Sequence, residues 1–287
     1  MKTPFSPIIT PKQVVENEKI NPILWVDARA GSNAFEEYQK EHIAGAVFVD
    51  LNTQLADVQS DVSNGGRHPL PTPTQFCNLL NQLGITPERH VIVYDEVNCS
   101  NAASRFWWMM KSIGHQNVQV LNGGLFAAKK AGFSMKFGVE TNNSTSDYSQ
   151  TNWTLPTADI HEVEVARKDS KKLIIDVRDA YRFDGVSEPI DVIAGHIPGA
   201  INVPYSQNLD EKGDYLPKAM LKEKYLKIVG KKLVKDVIVH CGSGVTACHT
   251  LLAMDYAGLE IPKLYVGSWS EWSRNNREMA GENLRNL

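Results

Sequence analysis

Three segments of this chain recur, in the same order, roughly 150 residues further along. Ile23-Leu24-Trp25-Val26-Asp27-Ala28-Arg29 is matched by Leu173-Ile174-Ile175-Asp176-Val177-Arg178. Glu41-His42-Ile43-Ala44-Gly45-Ala46 is matched by Gly195-His196-Ile197-Pro198-Gly199-Ala200, and Val91-Ile92-Val93-Tyr94-Asp95 by Val237-Ile238-Val239-His240-Cys241. Near-constant spacing is what a duplicated domain with loop insertions produces, and 287 residues give each copy enough chain for its own core. Phe137 to Pro156 is rich in Asn, Ser and Thr and poor in core-forming residues, as a linker would be. The expected division is a first domain over 1–140, a linker over 141–156 and a second domain over 157–287.

Within each copy short β-branched runs alternate with stretches of helical periodicity. Thr74 to Leu83 places Phe76, Leu79, Leu80 and Leu83 on one helical face. Buried strands alternating with helices predict the α/β class, each copy a mostly parallel sheet flanked by helices. Ligands of such sheets bind at the carboxyl ends of the strands.

One strand end carries unusual chemistry. Val237-Ile238-Val239-His240 runs into Cys241, then Gly242-Ser243-Gly244-Val245-Thr246-Ala247. Glycines let a loop turn sharply and aim successive N–H groups inward, and the following helix start adds partial positive charge. Such surroundings lower a thiol pKa to roughly 3.5–7.5, so Cys241 is expected to be a reactive thiolate in an anion cradle. The first copy has Asp95 at this place, followed by Glu96-Val97-Asn98-Cys99. A carboxylate cannot serve as the sulfur nucleophile and repels anions, so the first copy is expected to be non-catalytic and to form part of the wall of the second copy's site.

Composition removes several function classes. The net charge of −3 gives no electrostatic basis for nucleic-acid binding. No apolar run approaches the ~18 residues that span a bilayer, and the first residues contain no signal-peptide h-region. Four irregularly spaced cysteines fit a reducing compartment, so a cytoplasmic monomer without membrane or nucleic-acid partners is expected. His240-Cys241 and Cys248-His249 do not have zinc spacing; no metal and no cofactor are expected.

The duplicated Asp-x-Arg and His-Ile-x-Gly-Ala segments, the Cys241 loop and Tyr265-Val266-Gly267-Ser268-Trp269-Ser270-Glu271-Trp272 together resemble the tandem-domain sulfurtransferases of the rhodanese superfamily, over nearly the whole chain. The resemblance implies that Cys241 takes sulfur from a small-molecule donor as a persulfide and passes it to cyanide, a thiol or a protein thiol. It implies that Gly242, Ser243, Gly244, Val245 and Thr246 bind the donor and hold the persulfide charge, and that Arg182 in Tyr181-Arg182-Phe183 grips the donor's anionic group. A Gly-Ser-Gly loop matches members that use 3-mercaptopyruvate, whereas thiosulfate users carry basic residues after the cysteine; 3-mercaptopyruvate is the expected donor and thiosulfate the alternative. Two positions depart from the 3-mercaptopyruvate pattern: Ile190 follows Glu188-Pro189 where an arginine is usual, and Asn52 stands where an aspartate is usual. His68 matches the histidine that the subgroup places behind the loop serine; site wall and exposed loop are equal readings of it.

The remaining candidates have plainer readings. Cys77 and Cys248 read as small buried hydrophobes, and Cys99 as a loop residue whose thiol, if exposed, could oxidise. Arg29 and Arg178 occur in both copies, which favours structural ion pairs; His42 and His196 read as turn-fixing residues, and Trp107 and Trp108 as core or interface. Lys222, Lys224, Lys227 and Lys231-Lys232 read as the solvated face of a helix and its exit. Three competing readings stand beside this one. A Cys-x5-Arg phosphatase needs an arginine where this chain has Ala247. A non-catalytic regulatory module would have no need of the thiol that this chain keeps, whereas a sulfur carrier that hands its persulfide to a protein partner would keep it and is distinguished by a protein acceptor far better than cyanide.

Overall fold

The structure, a computed structural model, describes residues 5–16, 22–96, 98–141 and 146–282. Two compact units compose it. The first comprises Met1–Asp57, Pro71–Thr154 and Glu211–Tyr215; the second comprises Val58–Leu70, Leu155–Asp210 and Leu216–Leu287. Near the expected linker the boundary falls between Thr154 and Leu155; residues 142–145 of that linker, and Val97 of the loop after Asp95, lie outside the described residues.

In the first unit β1 (Ile8–Ile9), β2 (Ile23–Arg29), β4 (Ala46–Asp50), β5 (His90–Tyr94) and β6 (Val118–Leu121) form one parallel sheet in the order β1-β6-β5-β2-β4, with a small antiparallel pair of β3 (His42–Ile43) and β7 (Met135–Lys136) beside it. The second unit has β8 (Thr157–Ala158), β9 (Leu173–Asp176), β10 (Ile201–Asn202), β11 (Val237–His240) and β12 (Lys263–Tyr265), all parallel, in the order β8-β12-β11-β9-β10. Read from the edge strand inwards, the two orders are the same. Every residue of β5 and of β11 is buried, which is why both read as unbroken apolar runs rather than alternating ones. The second unit's core packs Val163, Ile174, Ile197 and Ile238 against Tyr265, Trp269 and Trp272.

Local signals explain the helices. Pro73–Gln82 starts at a capping box in which the Thr72 side chain accepts from the Gln75 backbone N–H and the Gln75 side chain reaches back, and it buries Phe76, Cys77, Leu79 and Leu80. Trp107 and Trp108 are fully buried in the helix Ala102–Ser112. The helix Lys218–Val229 carries the expected lysines, with one difference: Lys224 is partly buried rather than solvated, donates to Asn208 Oδ1 at 2.9 Å, and is held down to about 8 by loss of hydration. No helix among the described residues is long and apolar enough to cross a membrane.

Candidate active site

Cys241, which is 3% exposed, directly follows the last residue of β11, His240, and the helix Thr246–Tyr256 begins five residues after the cysteine. The turn between them requires glycine at 244: its φ is +73°, and a Cβ there would lie 2.4 Å from the Val266 carbonyl oxygen. The chain after β12 brackets the loop from outside. Trp269 N–H donates to Cys241 O at 3.1 Å, Ser270 N–H donates to Gly242 O at 2.9 Å, and Ser268 Oγ accepts from Cys241 N–H at 3.2 Å. The Tyr265-to-Trp272 motif is therefore the mechanical support of the cysteine loop. With two loop carbonyls drawn outward, the N–H groups of Gly242, Ser243 and Val245 make no hydrogen bond among the described residues. Beside the first turn of a helix, these are donors for an anion.

Gly244→Ala tests this support. The left-handed backbone alone costs about 1–3 kcal/mol for a non-glycine residue, and the contact with a backbone carbonyl adds to it. A lowered urea midpoint and slowed alkylation of Cys241 are expected; a midpoint equal to that of the parent protein would contradict the geometry.

Beyond the loop lies a chain of alternating charges. Arg178 donates to Asp176 Oδ2 at 2.6 Å, to the Gly195 carbonyl at 2.7 Å and to Glu188 Oε2 at 3.2 Å. Burial disfavours both charges of the Asp176–Arg178 pair, but each is outweighed by its partner, so Asp176 stays below the usual carboxylate range and Arg178 above its own. Arg182 Nε donates to both oxygens of Glu188 at 3.0 Å. Asp191 accepts from Arg67 Nε at 3.0 Å and Nη2 at 3.2 Å, from Arg274 Nη1 at 3.1 Å and from Arg182 Nη2 at 3.5 Å. A Cβ on Gly242 would lie 3.0 Å from Arg67 Nη2 and 3.3 Å from Arg182 Nη2, so two guanidinium groups stand over the residue that follows the cysteine.

His68 also reaches this place. Its Nδ1 lies 2.7 Å from Ser243 Oγ, within hydrogen-bond distance, so of the two sequence readings the geometry matches the site wall. The segment that carries His68 is stitched to the bracket: Arg67 N–H donates to Ser270 Oγ at 3.1 Å, and Gly65 N–H to Glu271 Oε1 at 2.9 Å. Cys241, Arg182, Ser243 and His68 are thus assembled in one unit, with the amides of the loop. Asn52 belongs to the first unit, in the short helix Leu51–Gln54. The sequence reading did not single out Arg67, Asp191 or Arg274, although Arg67 and Asp191 adjoin His68 and Ile190, which it did.

The matching place in the first unit is filled from within. Asp95, 1% exposed, accepts from the N–H groups of Cys99 at 2.7 Å, Ala103 at 3.2 Å and Asn101 at 3.3 Å at the start of the helix Ala102–Ser112. Cys99 is buried, not exposed; its thiol donates to Leu121 O at 3.0 Å, and burial raises it well above the usual thiol range. The duplicated ion pair recurs as Arg29 on Asp27 at 2.7 Å. His42 and His196 bind the Tyr38 and Phe183 carbonyls at 2.8 and 2.7 Å, consistent with turn-fixing roles.

Comparison with known proteins places these features in a family. The model of the Rhodanese-like domain matches twice, over residues 10–131 and 159–275. A Pseudomonas aeruginosa protein named "Probable 3-mercaptopyruvate sulfurtransferase" is 37% identical over 242 residues, covering 84% of both chains. The 3-mercaptopyruvate sulfurtransferase of Escherichia coli is 35% identical over 257 residues, covering 86% of this chain and 88% of that one. Among solved structures, 3-mercaptopyruvate sulfurtransferase from Leishmania major superposes with a TM-score of 0.83 at 29% identity, covering 96% of this chain and 76% of the other.

Proposed function

This chain belongs to the rhodanese family, and from that premise we propose that it is a sulfurtransferase whose donor is 3-mercaptopyruvate and whose sulfur carrier is Cys241. The observation that carries the reading is the convergence on one cysteine loop of unengaged amides, a serine–histidine pair and two arginines. The second domain is the catalytic one; the first, with Asp95 in place of the thiol, is non-catalytic. Four free cysteines, all buried, support a reducing compartment, and we take the protein to be a cytoplasmic monomer.

In the first half-reaction the Cys241 thiolate attacks the donor's sulfur. The carbon–sulfur bond breaks, its electron pair remains on carbon as the pyruvate enolate, and the thiol proton ends on that carbon, giving pyruvate and a Cys241 persulfide anion. In the second, a nucleophile such as cyanide, a small thiol or a protein thiol attacks the outer sulfur and restores the thiolate. Arg182 and Arg67 hold the donor carboxylate, since a planar fork suits two carboxylate oxygens. Ser243, next to His68, stabilises the oxygen of the departing enolate, and the loop amides hold the persulfide charge.

Steady-state rates with 3-mercaptopyruvate and with thiosulfate, using one acceptor, test the donor. A kcat/KM higher for 3-mercaptopyruvate is expected, and Arg182→Gln is expected to lower it roughly 10- to 100-fold, the scale of one charge-assisted hydrogen bond. A preference for thiosulfate would make this a thiosulfate sulfurtransferase instead.

A further inference from the structure

Three arginines near the cysteine loop share one carboxylate. The Asp191 side chain is 0% exposed, whereas those of Arg67, Arg274 and Arg182 are 24%, 22% and 10% exposed, so the carboxylate lies inside and the guanidinium groups lie between it and solvent. Arg67 grips both Asp191 oxygens with one edge of its fork, through Nε and Nη2. Its Nη2 lies 3.2 Å from Asp191 Oδ2; that of Arg182 lies 2.7 Å from Glu188 Oε1 and 3.5 Å from Asp191 Oδ2, and both stand within 3.3 Å of the position of a Gly242 Cβ. Two cations so placed repel each other, and a carboxylate between them removes that repulsion. Asp191 is itself fixed: its N–H donates to Glu188 Oε1 at 3.1 Å, and Glu188 is held by Arg178 and Arg182. Arg274 also donates to the Ser270 carbonyl at 2.8 Å, which ties Asp191 to the bracket of the cysteine loop.

We infer that Asp191 is the positioning residue that makes this site selective for carboxylate-bearing donors, because it sets the Arg67 fork above Gly242, beside the Arg182 fork that Glu188 holds. Counted over the cluster, four arginines (Arg67, Arg178, Arg182 and Arg274) meet three carboxylates (Asp176, Glu188 and Asp191), which leaves one positive charge unmatched, and a donor carboxylate completes the pairing without any arginine having to be reordered. The inference rests on the donor reading above and adds to it the residue that enforces it.

The test uses two donors, 3-mercaptopyruvate and mercaptoacetone, which keeps the thiol and ketone but has a methyl group in place of the carboxylate. Asp191→Asn is expected to raise KM for 3-mercaptopyruvate at least ~10-fold, with kcat within ~3-fold and kcat/KM for mercaptoacetone within the same factor. In an Arg67→Gln background the same substitution is expected to change KM less than ~3-fold, because Asp191 acts through Arg67. An unchanged or lowered KM, equal losses on both donors, or additive effects in the double variant would each overturn the inference; a general structural role gives equal losses. If Asp191→Asn does not fold by thermal melting, Arg274→Gln carries the test: it is expected to raise KM for 3-mercaptopyruvate alone, and no shift overturns the proposal. Parent protein that releases no pyruvate from 3-mercaptopyruvate refutes the donor reading itself, whereas active parent protein with an indifferent Asp191→Asn refutes only the role of Asp191.

Discussion

Replacing Cys241 by serine is expected to reduce sulfur transfer from every donor by at least about four orders of magnitude, the scale on which removal of an enzyme nucleophile acts. Serine fits the space, since the loop is held by its backbone through Trp269, Ser270 and Ser268 rather than through the thiol. The variant should therefore melt with the parent protein and still bind pyruvate. It should show no single-turnover burst of pyruvate and no gain of one sulfur atom by mass. Cys248, whose thiol donates to the Gly244 carbonyl at 3.3 Å, is the internal control: its replacement by serine keeps a donor there and should leave most activity. Turnover surviving in Cys241→Ser, or lost equally in Cys248→Ser, would contradict the assignment of the nucleophile.

The largest effect on stability is expected at Arg178. Its removal strands Asp176, fully buried, and takes one partner from Glu188, whose side chain is 2% exposed. Breaking a buried pair by deleting one partner costs about 3–5 kcal/mol, because the remaining charge stays desolvated. Arg178→Met should therefore lower the urea midpoint sharply, and Asp176→Asn in the same chain should recover part of the loss. The pH dependence gives an independent check. In the parent protein Asp176 has a depressed pKa, so its contribution is present above the unfolded value near 4 and is lost as pH falls through the folded one. Without Arg178, burial raises the Asp176 pKa above its unfolded value; the protonated form is then favoured by folding, and the variant's deficit should shrink as pH is lowered towards 5. A deficit that stays constant with pH would assign the loss to packing over the Trp269 ring, 4.8 Å away, instead of to charge.

The cysteine loop was legible because its signal is contiguous: an apolar strand, a thiol, two glycines and a helix start follow one another within a dozen residues. The repeat made the sheets legible for a similar reason, since each copy of the Asp-x-Arg and His-Ile segments marks an equivalent strand end or turn. The charge cluster was not. Asp191 meets Arg67 across 124 residues and Arg274 across 83, and no local pattern ties them together. Arg182 was found through resemblance, but its grip on Glu188 was invisible because the sequence reading weighed Glu188-Pro189 only for the arginine that does not follow it. Cys99 and Lys224 show the other limit: a polar-looking stretch does not reveal whether its side chains face solvent, and here a loop thiol is sealed and a lysine of a charged helix is half buried.

Asp95 has a consequence for how the two copies can change over time. A cradle whose donors are left open is locally frustrated, and natural selection for stability alone would close it. In the first copy the Asp95 carboxylate satisfies the N–H groups of Cys99, Asn101 and Ala103. Under the proposed function the second copy has to keep its donors waiting, and any substitution that satisfied them is expected to register as an improvement in a melting screen and as a loss in an assay. On that reading the two copies divide two demands, durability and readiness, between halves of the same fold.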